Sequence, residues 1–168
     1  MVLKKRKKAQ MKMSFGMIFS IILIIAFLGF AFYAIKFLID IQKTAQLGQF
    51  IDNLQEDVNG VWKSTQSSKK ESYNLPGGID YICFVDANAR IRGQYRDFYD
   101  DFEMFYSEEK NMFFYPMNKA GELDAMEIKH INIEKTTSSQ NPYCIEKQDG
   151  KIEMILKKEF GENLVIIN

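Results

Sequence analysis

This chain of 168 residues is short of proline (three), cysteine (two), tryptophan (one) and histidine (one), and each shortage excludes something. No proline falls between residues 13 and 66, so no ring clash or missing N–H interrupts a helix there. A single histidine rules out the HExxH metalloprotease pattern, and neither a glycine-rich phosphate loop nor a GxSxG elbow occurs. That histidine, His130, has polar neighbours in Lys129 and Asn132 and no second ligand or nucleophile beside it, and it reads as a structural residue on a strand surface. Cys83 and Cys144 lie too far apart for a CxxC metal or redox motif. No Asn-x-Ser/Thr sequon is present. These absences point away from an enzyme, and no cofactor or metal is expected.

Charge is missing in two places. Residues 1–12 hold no acid but six basic side chains, Lys4, Lys5, Arg6, Lys7, Lys8 and Lys12. The rest of the chain carries sixteen Lys and Arg against twenty-two Asp and Glu, so the net charge of zero is an acidic body with a basic tip. Residues 13–35, MSFGMIFSIILIIAFLGFAFYAI, hold no charge at all. At helical rise this run covers roughly 34 Å, enough for a hydrocarbon core of about 30 Å. Lys and Arg beside such a run are retained in the cytoplasm, which predicts an internal N-terminus and an external acidic body. In that setting the basic tip is a topology signal and not a nucleic-acid-binding tail. The run is too long for a secretory signal, and residues 36–40 offer no small-residue cleavage site, so it is expected to stay as an anchor.

Beyond the anchor the pattern changes without a break. Phe37, Leu38, Ile41, Ala45, Phe50, Ile51, Leu54, Val58, Val61 and Trp62 recur mostly at steps of three and four, while Asp40, Lys43, Gln46, Gln49, Asn53 and Asp57 fall largely on the opposite face. This predicts one nearly continuous helix over about residues 12–66, apolar all round in its first half and one-sided in its second. A juxtamembrane coiled coil is less consistent with the spacing, which is too irregular for sustained heptads.

The basic tip has its own pattern. Residues 4–10 read KKRKKAQ, and Lys8-Ala9-Gln10-Met11 directly precedes the apolar run. This resembles the class III signal of archaeal type IV pilin-like proteins, in which a prepilin peptidase cuts on the cytoplasmic face after a Gly or Ala that follows Lys or Arg. The resemblance covers roughly the first 60 residues. It implies Lys8, Ala9 and Gln10 as processing residues, a cut between Ala9 and Gln10, and the loss of five positive charges. It also implies a subunit whose N-terminal helix packs against copies of itself or other pilin-like subunits. Lys12 stands where the family usually has an uncharged residue, and Ser14 where bacterial pilins carry a glutamate. An uncleaved signal anchor is the alternative.

The remainder, residues 67–168, reads as an external α+β head. Residues 64–72 form a polar loop, and Leu75-Pro76-Gly77-Gly78 is turn chemistry. Residues 79–85 are apolar on both faces, as in a central strand, with Cys83 in the middle. Tyr95, Phe98, Tyr99, Phe102, Phe105 and Tyr106 step like a helix, with Asp97, Asp100, Asp101 and Glu103 between them. Their spacing matches no calcium loop, so the acids read as a solvated face. Arg90, Arg92 and Arg96 cluster nearby and pair most simply with those acids. Strands are expected at residues 111–117, with Pro116 limiting that one to an edge or an end, and at 126–133. A polar connection follows, then a hairpin of residues 143–146 and 151–157 about Asp149-Gly150, and a terminal strand at 164–167. For Cys83 and Cys144, a disulfide in an oxidising compartment and a pair of buried thiols both remain open.

The reading is thus an α+β chain: a basic cytoplasmic segment (1–12), a transmembrane helix (13–38), its amphipathic extension (39–66) and a small, mainly antiparallel β head (67–168), arranged as in a pilin. The expected role is a single-pass, pilin-like structural subunit of a surface filament or envelope machine. The alternative is an unprocessed envelope protein with an external ligand- or partner-binding head.

Overall fold

The computed structural model describes residues 15–105, 107 and 109–168 and has a mixed α+β fold. The chain divides into two units, residues 1–40 and 41–168, with helix α1 (Phe15–Trp62) shared between them. From residue 15 to residue 40 the first unit is helix throughout, and none of those residues is buried.

In the second unit the amphipathic half of α1 packs on a small antiparallel framework. Leu47, Phe50, Ile51, Leu54, Val58 and Val61 form its buried stripe, at the spacing of one helical face. The stripe begins at Leu47: Phe37, Leu38 and Ile41 are exposed, although they continue the same apolar pattern. The helix ends at Trp62 rather than at residue 66 because its last carbonyls find other partners. Ser64 Oγ donates to Val61 O at 2.6 Å and Lys158 Nζ donates to Trp62 O at 2.5 Å, a cation at the negative end of the helix.

Among the described residues seven strands form two sheets. The first has the order β1 (Ser67–Asn74), β6 (Lys151–Lys158), β7 (Ile166–Ile167); the second β4 (Ala125–Met126), β3 (Met112–Tyr115), β2 (Tyr81–Phe84), β5 (Tyr143–Glu146). All the ladders within them are antiparallel. Alternation along β2 sorts two cores: Ile82 and Phe84 face α1 and the main cluster, while Cys83 and the following Val85 face a second cluster with Phe102, Phe113 and Met117. A 3₁₀ turn (Arg96–Phe98) and the short helix α2 (Tyr99–Glu103) cover that second face, with Phe102 fully buried in it.

Four expectations need correction. Of the loop expected over residues 64–72, only 64–66 lie outside helix and strand; the rest belongs to β1, which pairs with β6 along its whole length, so backbone bonding holds it although Tyr73 is its only fully inward side chain. The aromatic helix is a 3₁₀ turn plus five residues of α2, and Tyr106, the last residue of its pattern, lies outside the described residues. Residues 126–133 are not a strand beyond Met126. Asn111 instead clamps the chain there with Nδ2 on Ile128 O (3.0 Å) and Oδ1 on Ile128 N–H (2.9 Å), and Asn132 Oδ1 caps helix α3 (Ile133–Thr136) at Lys135 N–H (3.0 Å). Residues 143–146 and 151–158 are strands, but they are not a paired hairpin, since each joins a different sheet. Pro116 does mark the end of β3, yet β3 is an interior strand between β4 and β2.

Candidate functional site

The most conspicuous surface is the first half of α1. All nineteen large apolar side chains from Phe15 to Ile41 are 40–84% exposed, and no charge interrupts them before Lys36. Fully burying one such side chain gains about 1.5–3 kcal/mol, so leaving these in water costs on the order of 20 kcal/mol or more. That exceeds the whole stability of an ordinary domain, about 5–15 kcal/mol. Ser20 does not spoil the surface, because its hydroxyl donates to Gly16 O at 2.8 Å within the helix. Among the described residues this is one helix long and apolar enough to cross a membrane. Lys8, Ala9 and Gln10, the residues of the processing pattern, lie outside the described residues.

Cys83 and Cys144 are brought together directly opposite each other on β2 and β5, Cα atoms 4.0 Å apart, and are joined by a disulfide. Both are buried, at 0% and 6% exposure, among the residues of the second core.

His130 is not on a strand. It occupies a left-handed turn (φ 67°) and stacks flat on Trp62, ring centroids 3.8 Å apart and planes within 3°. Its Nδ1 lies 2.9 Å from Asn59 Oδ1, which also accepts from Gln55 Nε2 at 3.1 Å, so Nδ1 carries the proton. Gln55 bonds Lys129 N–H (2.8 Å) and Lys129 O (3.3 Å), and Trp62 Nε1 donates to Asn163 O at 2.9 Å. These contacts fix the end of α1 to two loops, which is structural work. The arginines do not converge on an anion: Arg92 donates to Ser138 O (2.6 Å) and Thr137 O (3.3 Å) at the end of α3, whereas Arg96 pairs with the exposed Asp97 at 3.2 Å. Of the acids on α2, Asp101 lies near Tyr115, whose phenol is pushed up first by burial and then by that carboxylate. Among the described residues no group of three or more His, Cys, Asp or Glu is arranged to hold a metal.

Sequence reasoning missed the polar joint between α1 and β1. Asp57 accepts from Lys69 Nζ and from the Tyr73 hydroxyl, each at 2.8 Å, and Glu71 adds a second contact to Lys69 at 2.6 Å. The hydrogen bond to Asp57 chiefly holds the Lys69 ammonium above its ordinary range, and burial, then Asp57, does the same for the Tyr73 phenol. No spacing rule announces this joint, because it links helix to strand. Lys147 was likewise unremarked: it is mostly buried and donates to Ile79 O and, at 3.3 Å, to Pro76 O.

Comparison with protein-family models, with curated proteins and with solved structures finds no match for this chain.

Proposed function

We propose that the chain is a single-pass membrane protein with a cytoplasmic N-terminus and an external head, and that it serves as a pilin-like structural subunit and not as an enzyme. The observation that carries this reading is the exposed, uncharged run of α1, which water does not tolerate and lipid does. The basic residues before it supply the orientation, and Lys8-Ala9-Gln10-Met11 supplies the resemblance to a prepilin peptidase site. Removing residues 1–9 takes five of the six cytoplasmic charges away, leaving Lys12 to hold the anchor in. The helix could then leave the bilayer to pack against other subunits of a surface filament. A disulfide across β2 and β5 suits an external, oxidising location.

Lys12 favours a second reading. An ammonium placed just before the apolar run also suits a chain that is never cut and simply displays its head to a partner. Mass spectrometry of the N-terminus in the native host separates the two: a chain starting at Gln10 supports the subunit, and one starting at Met1 or Val2 removes it in favour of the anchor. Orientation has its own test. Trypsin added outside intact cells should cut after Arg90, which is exposed in the turn following β2; cutting only in lysed cells would reverse the topology.

A further inference from the structure

The turn between β5 and β6 starts a hairpin that is not completed. Asp149 (φ 50°) and Gly150 (φ 78°) are both left-handed, as a two-residue type I′ loop requires. Gln148 and Lys151 exchange both backbone hydrogen bonds, at 2.8 and 2.9 Å. Past that pair the strands part, β5 to β2 and β6 to β1 and β7. Hydrogen-bond parity then shows which backbone groups are left at the opening. Lys147 N–H donates to Asp80 O at 2.8 Å, so Ile145 and Tyr143 also turn their backbone toward β2, while Cys144 and Glu146 turn theirs away. On β6, Ile155 exchanges bonds with Asn168, and Lys151 with Gln148, so Glu153 between them faces the same opening. Among the described residues no strand lies opposite these three.

The opening is a cleft of about 730 Å³ with β5 on one side and the turn and start of β6 on the other. Its charged side chains are Glu146, Asp149 and Glu153 against Lys151, with Lys70 bound to Glu153 at 2.6 Å from the far side of β6. The contrast with β1, an edge of the first sheet, is informative. β1 carries Lys69 and Lys70, the kind of charge that discourages a strand from adding to an edge. β5, reading YCIE, carries no basic residue.

We infer that this cleft binds an extended, basic peptide segment of a partner by strand addition to β5. The guest backbone pairs with the outward N–H and C=O groups of Cys144 and Glu146, which supply affinity without regard to guest sequence. Lysine or arginine side chains of the guest then lie over Glu146, Asp149 and Glu153, which select for positive charge. The site belongs to the head alone and holds whether or not the bond after Ala9 is cut.

The test uses the full chain in detergent micelles and a fluorescein-labelled octapeptide of alternating valine and lysine, read by anisotropy. The expected result is saturable binding, weaker by about tenfold for the valine–glutamate octapeptide. Glu146→Pro removes a cleft-facing N–H without removing a bond to β2, and should weaken the lysine peptide by about tenfold as well. Glu146→Lys combined with Glu153→Lys leaves the backbone intact and should do the same; it decides the matter if Trp62 fluorescence shows the proline variant unfolded. Absence of saturable binding, equal binding of the two octapeptides, or a folded variant that binds like the parent overturns the inference.

Discussion

Replacing Cys83 and Cys144 together by alanine removes a link that closes a long stretch of chain. The two residues are 61 apart in sequence and already face each other across β2 and β5. In the chain-entropy treatment, a loop of that length restricts the unfolded state by about 4 kcal/mol at room temperature. The only tryptophan, Trp62, sits at the end of α1, stacked on His130 inside the second unit. Its fluorescence therefore follows unfolding of the second unit without interference from the apolar run of α1. With a slope of about 2 kcal/mol per molar urea, the double variant should unfold about 2 M earlier than the parent in the same micelles. The disulfide is buried, so dithiothreitol below the transition should act slowly on the parent and, once complete, reproduce the variant's midpoint. A shift under about 0.5 M would refute the reasoning, because the bridge would then constrain a chain that is already confined.

Leu54→Ala, at a fully buried position on the α1 stripe, should lower head stability by about 2–5 kcal/mol in the same urea titration. Ile24→Ala, in the exposed run, should leave the Trp62 transition where it is. Tyr73→Phe removes the phenol bond to Asp57 and should cost about 1–2 kcal/mol near neutral pH. Because burial and Asp57 raise the folded pKa of Tyr73 above its ordinary value of 10.0, its contribution is complete below that pH and is lost as pH rises through the folded value; stability profiles above pH 10 should therefore fall less steeply for Tyr73→Phe than for the parent. Lys147→Met strands the carbonyls of Ile79 and Pro76 and should cost about 1–3 kcal/mol, read as a lower melting temperature by near-ultraviolet circular dichroism.

What the sequence made legible was what periodicity encodes. The apolar run, the stripe from Phe50 to Val61 and the doubly covered strand around Cys83 each repeat over enough residues to stand out. The failures have a common physical source, which is pairing at a distance. β1 has the composition of a loop, with two serines and two lysines in its first four residues, and is a strand only because β6 lies beside it. Asp149-Gly150 carries the chemistry of a hairpin turn and does make that turn, yet the pull of β2 on β5 and of β1 on β6 parts the strands one residue pair later. His130 looked like a strand surface because Trp62, its stacking partner, is far away in sequence and near only once α1 is docked. The cleft beside β5 could not be read from any window of residues, since it exists only because two sheets claim neighbouring strands.

The account rests on α1 lying in lipid over its exposed apolar run, and alkaline carbonate treatment of membranes from cells expressing the full chain tests that most directly. The prediction is that the chain stays in the membrane pellet with its apolar segment intact by mass and is released only by detergent. Recovery in the supernatant, either whole or shortened past residue 35, would contradict it.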